Sequence, residues 1–430
     1  AFESIFINSR NQISSLKNNL SEDVFIQNFD LLTRKYNSYN PTEKVYLHTD
    51  KNNLISGDSL RFSAYVTLGS FLNFSQASKT LQVELVDKNQ TVVSSQTLLL
   101  DKGKSNGVIG IPKRIPEGTY QLRAYTHWMK NFDHEFFYKK NIHISSSYIV
   151  NKKEKNINNK IDLQFFPEGG NAVLNLIGRV AFKAVDKDGL GKEIKGKIYD
   201  SKGNYILSIK SNKNGVGVFN FKPVSNESYH VTLSDKTTYP ITKISNIGYT
   251  MLVNNLNSET IKVKIQASQI LKGGQFYVIG QMQNAKYFQG RYVFKNRPFV
   301  NIEIPKTKVP SGILTLTLFD KDMKPWAERL VFINNKNDLV INTSLDNNKP
   351  LKKGELSVNI NITDSEGKPV ETNLSIALND LNKTKKQINS SNILTYLLLE
   401  SDLKGHIENP NQYFVNEERL TLYNLDFVML

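Results

Sequence analysis

The sequence predicts a mostly β protein made of tandem antiparallel sandwiches, with a helical segment in front and a helical insertion near the C-terminus. Three observations predict it. First, apolar and polar residues alternate in runs such as Leu60, Phe62, Ala64 and Val66 against Arg61, Ser63, Tyr65 and Thr67, the period of a strand with one buried face. Second, Asp-x-x-Gly recurs at 186–189, 200–203 and 364–367. There Asp can bond the backbone just downstream and Gly accepts positive φ, which is the chemistry of a hairpin turn. Third, one unit is reused. IPKRIPEGTYQL (111–122) and IPKTKVPSGILTL (304–316) share an Ile-Pro-Lys entry, a second Pro, a Gly turn and an alternating strand, and VFNFKPVSNESYHVTL (218–233) is a looser copy. The spacing of about 90 to 100 residues is that of one two-sheet sandwich.

Taken in order, residues 1–42 read as helical. Phe2, Ile5, Phe6, Ile13 and Leu16 recur at helical spacing, as do Val24, Phe25, Phe29, Leu32 and Tyr36 after Ser21, and Pro41 closes the segment. From Val45 the period becomes two. The first sandwich is placed at 43–147, a Lys/Asn linker at 148–160, and the second and third sandwiches at 161–240 and 241–336. A fourth, incomplete one occupies 337–430, interrupted by a helical insertion near 388–404. The rows expected to be buried include Leu81, Val83 and Leu85; Tyr120, Leu122 and Ala124; Ile261, Val263 and Ile265; and Leu356, Val358, Ile360 and Ile362. A one-residue slip would expose a whole row, so register is strongly specified. Gly118 is expected to need a backbone conformation that a Cβ resists. DKNNLISGDSLRF (50–62) and DNNKPLKKGELSV (346–358) look like matching domain openings, and the apolar LDFVML (425–430) suggests a chain that continues.

Composition narrows the function. At 430 residues the chain exceeds a single core and suggests about three to four domains. No run approaches the ~20 apolar residues of a membrane-spanning helix. The 55 Lys+Arg against 40 Asp+Glu give a net charge of +15, but the excess is dispersed. Only KKEKNINNK (152–160) and KTKK (383–386) are dense, and both read as solvated loops, so no nucleic-acid partner is assigned. The absence of cysteine removes disulfides, thiol catalysis and zinc ribbons.

The fragments that resemble catalytic motifs fail on context. GKSNG (103–107) satisfies G-x-S-x-G but sits between strands, where no helix follows to form a nucleophile elbow. HEFFY (134–138) has Tyr138 where a zinc motif needs a second His, and reads as a strand. The six histidines, at 48, 127, 134, 143, 230 and 406, have no ligand spacing, and Asp186 with Asp188 lacks a third calcium carboxylate because Leu190 occupies its place. No catalytic, cofactor or metal residue is assigned. The candidate partner-binding residues are Trp128, in YTHWMKNF, and Trp326, in KPWAERLVF. Each reads as an exposed anchor or as core or rim packing at a strand end.

Four stretches carry a family resemblance: EKVYLHTDKNNLISGDSLRF (43–62), EGTYQLRAYTHWM (117–129), FFPEGGNAVLNLIGRVAFKA (165–184) and TLFDKDMKPWAERLVFI (317–333). They resemble the macroglobulin-type, immunoglobulin-like β-sandwich domains of bacterial alpha-2-macroglobulin-like proteins. They resemble more closely those envelope proteins of Gram-negative bacteria in which such domains precede a TonB-receptor-plug-like domain. The resemblance implies a non-enzymatic scaffold or binding protein of the periplasm or outer-membrane surface, with peripheral membrane association. Its partner would be an outer-membrane or periplasmic protein complex of TonB-linked transport or protein export. Two alternatives stand beside this reading. One is a macroglobulin-type protease trap, which without Cys lacks the thioester and would rely on a bait segment around Lys383 to Ser391. The other is a carbohydrate-binding accessory module.

Overall fold

The computed structural model describes residues 22–148, 160–345, 356–379, 390–416 and 418–430. The first half of the expected N-terminal helix, most of the Lys/Asn linker, most of the second domain opening and the KTKK stretch lie outside them.

Three sandwiches follow one another with the same topology. In the second, Asp162–Pro167, Gly178–Val185 and Val216–Phe221 form one sheet, and Tyr205–Lys210, Lys195–Asp200, Tyr229–Leu233 and Thr238–Ile241 the other. The third repeats this strand for strand, with Tyr249–Asn254, Thr260–Ala267 and Val300–Pro305 facing Ala285–Val293, Gln275–Met282, Gly312–Asp320 and Pro325–Ile333. The first has the same frame with short additions, including Asn53–Ile55, which pairs in parallel with Tyr138–Ser145. The alternating rows point inward as expected: Leu81, Val83, Leu85, Leu122, Ala124, Ile261, Val263 and Ile265 are all buried. The Asp-x-x-Gly turns form as read. Asp186, Asp200 and Asp364 each accept two downstream main-chain N–H groups, and Gly189, Gly203 and Gly367 have positive φ.

The three rhyming stretches are one connection used three times, the crossing from the fifth strand of a sandwich in one sheet to the sixth in the other. Tyr120 O–H donates to Pro116 O at 2.8 Å, and Tyr229 Oη accepts from Val224 N–H at 3.0 Å. Both pin the crossing as a tyrosine corner does. Gly118 does not behave as expected: its φ is not positive, and an added Cβ would meet nothing within 4 Å. In the same sandwich Gly103 combines positive φ, at +74, with a crowded site, where a Cβ would lie 2.7 Å from Val66 O and 2.8 Å from Ser75 O.

Beyond the third sandwich, Val340–Leu345 and Val358–Thr363 form a two-stranded hairpin. This is how each preceding sandwich begins, but no further strand follows among the described residues. The row Leu356, Val358, Ile360 and Ile362 is therefore half-buried to exposed, not enclosed. The helical insertion is shorter than expected, with a helix at Ile393–Leu398 and a 3-10 turn at Glu400–Asp402. LDFVML lies in and just after a second helix, Arg419–Val428, which the sequence reading missed. HEFFY is likewise no simple strand, since His134–Phe136 is a 3-10 turn capped by Asp133 and the strand begins at Tyr138. These helices pack on earlier modules. Tyr396 and Leu397 join the first sandwich's core, while Leu398, Leu399, Leu425 and Met429 cover Ile313 and Phe332 of the third. The helix Glu22–Tyr39 sits on the third sandwich, where Phe29 packs against Tyr277, Ile279 and Phe319.

Candidate functional site

The least expected chemistry lies between the modules. Glu168 directly follows the first strand of the second sandwich in the sequence Phe-Phe-Pro-Glu-Gly-Gly, and its carboxylate is fully buried. Oε1 accepts from Arg179 Nη2 at 2.7 Å, Arg329 Nε at 3.0 Å and Val253 N–H at 2.9 Å, and Oε2 accepts from Arg179 Nε at 2.8 Å. Arg329, from Ala-Glu-Arg-Leu-Val-Phe in the third sandwich, is 2% exposed. It turns its other end to the last helix, donating from Nη2 to Asp426 Oδ1 at 2.6 Å and to Asp426 O at 3.1 Å. Arg179 closes the set, 3.3 Å from Asp426 Oδ2.

Two arginines and two carboxylates thus neutralise one another where the second sandwich, the third and the last helix meet. Burial pushes the Asp426 carboxyl up against the opposing pull of Arg329 and Arg179. Burial lowers the Arg179 guanidinium, but the hydrogen bonds and charge of Glu168 outweigh it and leave the group raised. Buried ions are costly to desolvate and hold only when every lone pair and N–H is satisfied, so this cluster fixes a geometry. Gly169, at φ +86, lets the backbones close, since a Cβ there would stand 3.2 Å from Ala327 Cβ.

A second polar joint ties the first sandwich to the third. Lys44 Nζ, 6% exposed, donates to Asp402 Oδ2 and to Leu397 O, both at 2.7 Å, and Asp402 Oδ1 accepts from Gln283 Nε2 at 2.5 Å. Beside it, the buried Glu43 is solvated by hydroxyls: Ser75 at 2.5 Å, Ser78 at 2.7 Å and Thr126 at 2.6 Å. Of the polar residues inside the resemblance-bearing stretches, Lys44, Glu168, Arg179 and Arg329 are therefore joint-forming groups, while Glu43 and Thr126 bond to each other within the first sandwich. Sequence reading missed this because the partners lie far apart along the chain. The available signal was a lone Glu or Arg inside an otherwise apolar strand, as in Phe-Phe-Pro-Glu and Glu-Arg-Leu-Val-Phe.

The candidates chosen from sequence sit elsewhere and do not converge. Trp128 is half-buried, donates from Nε1 to Pro41 O at 2.6 Å and meets Phe132 edge-on. Trp326 is half-buried, donates to Asp320 Oδ2 at 2.7 Å, packs on Tyr249 and carries Lys324 over its ring at 4.0 Å. Ser105 lies in the strand Lys104–Gly110. Asp186 spends its carboxylate on its own turn. Among the described residues no group of three or more His, Asp or Glu could hold a metal ion, and no helix is long and apolar enough to cross a membrane.

The hairpin after the third sandwich is sharply two-faced. Its register places Ile341 opposite Ile362, Thr343 opposite Ile360 and Leu345 opposite Val358 on one face, with Asn342, Ser344, Asn359 and Asn361 on the other, where Val340 opposite Thr363 is the one apolar residue. Ile341 is 53% exposed and Leu345 44%. Leu374, Ile376 and Leu378, in the stretch that follows, are exposed as well.

No family model and no curated protein matches the chain. Similar solved structures include Escherichia coli alpha-2-macroglobulin activated by porcine elastase, at 9% identity and a TM-score of 0.25, covering 76% of this chain and 34% of that one. Dimeric latent PorU from Porphyromonas gingivalis gives 12% identity and a TM-score of 0.29 over 68% of this chain and 34% of that one. A tetra-tandem repeat from the extending region of a large adhesion protein gives 10% and 0.21 over 76% and 89%. The chain spans about a third of the first two. At these values no family assignment follows.

Proposed function

We propose that this chain is a non-enzymatic, multi-domain binding scaffold of the bacterial envelope, at the periplasmic or outer face of the outer membrane. Its partner is a membrane protein complex of TonB-linked transport or protein export. The observation that carries the reading is the two-faced hairpin. An isolated two-stranded sheet is marginal in water, and one with exposed Ile341 and Leu345 beside half-buried Val358, Ile360 and Ile362 on a single face gains stability when another surface covers it. The ionic joints supply the other half of a scaffold's work by holding the preceding sandwiches in a fixed arrangement. The envelope location rests on the motif resemblance. Trp128 and Trp326 enter this proposal as secondary partner contacts at sandwich rims.

Purification of the chain from native membranes, with Ile341→Asp and Ile360→Asp beside it, tests the reading. The expected result is a discrete set of membrane proteins that co-purifies with the parent chain, survives about 0.3 M salt because the contact is apolar, and is lost in both variants. Co-purification that is unchanged in both variants contradicts it.

A further inference from the structure

The first sandwich carries a partly uncovered strand edge beside a cleft, separate from the hairpin. Strand Tyr138–Ser145 lies second from the end of its five-stranded sheet, but its outer neighbour Asn53–Ile55 covers only His143, Ile144 and Ser145. His143 N–H donates to Asn52 O at 3.1 Å, and Ser145 O accepts from Ser56 N–H at 3.0 Å. The odd-numbered residues of this strand therefore turn their main-chain groups to the outer side. Strand backbone repeats every two residues, so Lys139 and Asn141 turn theirs the same way, beyond the reach of the short neighbour. Both residues line a cleft of about 810 Å³.

The same cleft is lined by Tyr46, Tyr396 and Glu400. The tyrosines are 8% and 7% exposed, yet among the described residues neither hydroxyl has a hydrogen-bond partner. Their rings meet each other and Tyr138 at centroid distances of 5.0 to 5.9 Å. Glu400 Oε1 accepts from Ser391 Oγ at 2.7 Å and Thr395 Oγ1 at 2.8 Å, while Oε2 accepts nothing from the described residues. Burial pushes this carboxyl up, and no cation offsets the effect. Lys140 lines the cleft but is turned to Thr49 Oγ1 at 2.7 Å. The site thus combines an open strand edge, buried aromatic rings with free hydroxyls, and a carboxylate with one oxygen unused.

We propose that this cleft binds an extended peptide, which adds as a strand along Lys139–Asn141 and sets a lysine or arginine side chain against Glu400 beside Tyr46 and Tyr396. Main-chain hydrogen bonds along an open edge give such complexes affinity, and side-chain pockets give them specificity. A cation that meets a carboxylate and aromatic rings together gains a charge-assisted hydrogen bond and a cation–π contact.

The test pans a random heptapeptide phage library against the full chain and against Glu400→Gln and Tyr396→Phe, each checked for an unchanged melting curve. The expected result is a consensus with Lys or Arg at one fixed position flanked by β-branched residues, its affinity falling about tenfold or more in Glu400→Gln. Amide exchange at Lys139 and Asn141 should slow when the selected peptide is bound. No enrichment, enrichment without a basic residue, affinity unchanged in Glu400→Gln, or binding that leaves both amides unprotected would each overturn the proposal. Should Glu400→Gln fail to fold, replacing the peptide's basic residue by norleucine on the parent chain reads the same contact, and undiminished binding overturns it.

Discussion

Glu168→Gln keeps the shape of the side chain and removes its charge, so it isolates the ionic joint. In the parent chain this carboxylate receives four hydrogen bonds, three from two guanidinium groups and one from Val253 N–H. With Gln in place, Arg179 and Arg329 share a single carboxylate, Asp426, in a site where Arg329 is 2% exposed. Removing one partner of a buried ion pair costs about 3–5 kcal/mol, mostly through the charge left behind. Part of that is recovered because Arg329 still reaches Asp426, which puts the expected loss near ~3 kcal/mol. Trp326 lies three residues from Arg329 on the same strand, so urea unfolding followed by its fluorescence in a Trp128→Phe background reports the affected module. Combining Glu168→Gln with Arg329→Met should cost less than the sum of the two, by at least about 1 kcal/mol, since the second change removes the charge that the first exposes. A loss under about 1 kcal/mol for Glu168→Gln, or strict additivity in the pair, would refute the claim that these charges form one unit.

Three further outcomes follow from the same geometry. Burial lowers the Lys140 ammonium from its ordinary 10.5 to about 8. The unfolded chain then holds more protons between about pH 8 and 10.5 and stability rises with pH across that window. Lys140→Met should therefore stabilise at about pH 7, by at most about 3 kcal/mol, and lose the advantage by pH 10.5. Urea titrations at the two pH values check this, and a pH-independent effect speaks against it. Gly103→Ala should destabilise the first sandwich by roughly 2–4 kcal/mol, from its positive φ and the two carbonyls it would strike, whereas Gly118→Ala should leave the melting curve nearly unchanged. Tyr120→Phe should cost about 1 kcal/mol through its bond to Pro116 O, seen as a lower urea midpoint with an unchanged slope.

Much of the fold was legible because its causes are local. A strand's period, an Asp that bonds its own turn and a Pro-Lys crossing are all written within about a dozen residues, and the burial of Leu60, Leu122 and Val263 follows directly from them. The reading of Gly118 holds instead for its counterpart Gly312, whose φ is +134, while the first copy reaches the same crossing without positive φ. The helix Arg419–Val428 was missed because LDFVML, its second half and C-terminal end, reads as one apolar run, while Leu420 and Leu422 stand two apart as in a strand. The joints were illegible for a different reason. Glu168 and Arg329 are 161 positions apart, and nothing in either neighbourhood names the other. Their only trace is a charge in an apolar strand, the place where desolvation demands a partner.

The scaffold reading stands or falls on the two faces of the hairpin. A photo-crosslinking amino acid is placed at Ile341 or Ile360 on the apolar face and at Asn342 or Asn361 on the polar face, then activated in intact cells of the native host. One discrete high-mass adduct to an envelope protein is expected from Ile341 and Ile360, and little from the two asparagine positions. Adducts of equal yield from both faces, or none from the apolar face, would contradict it.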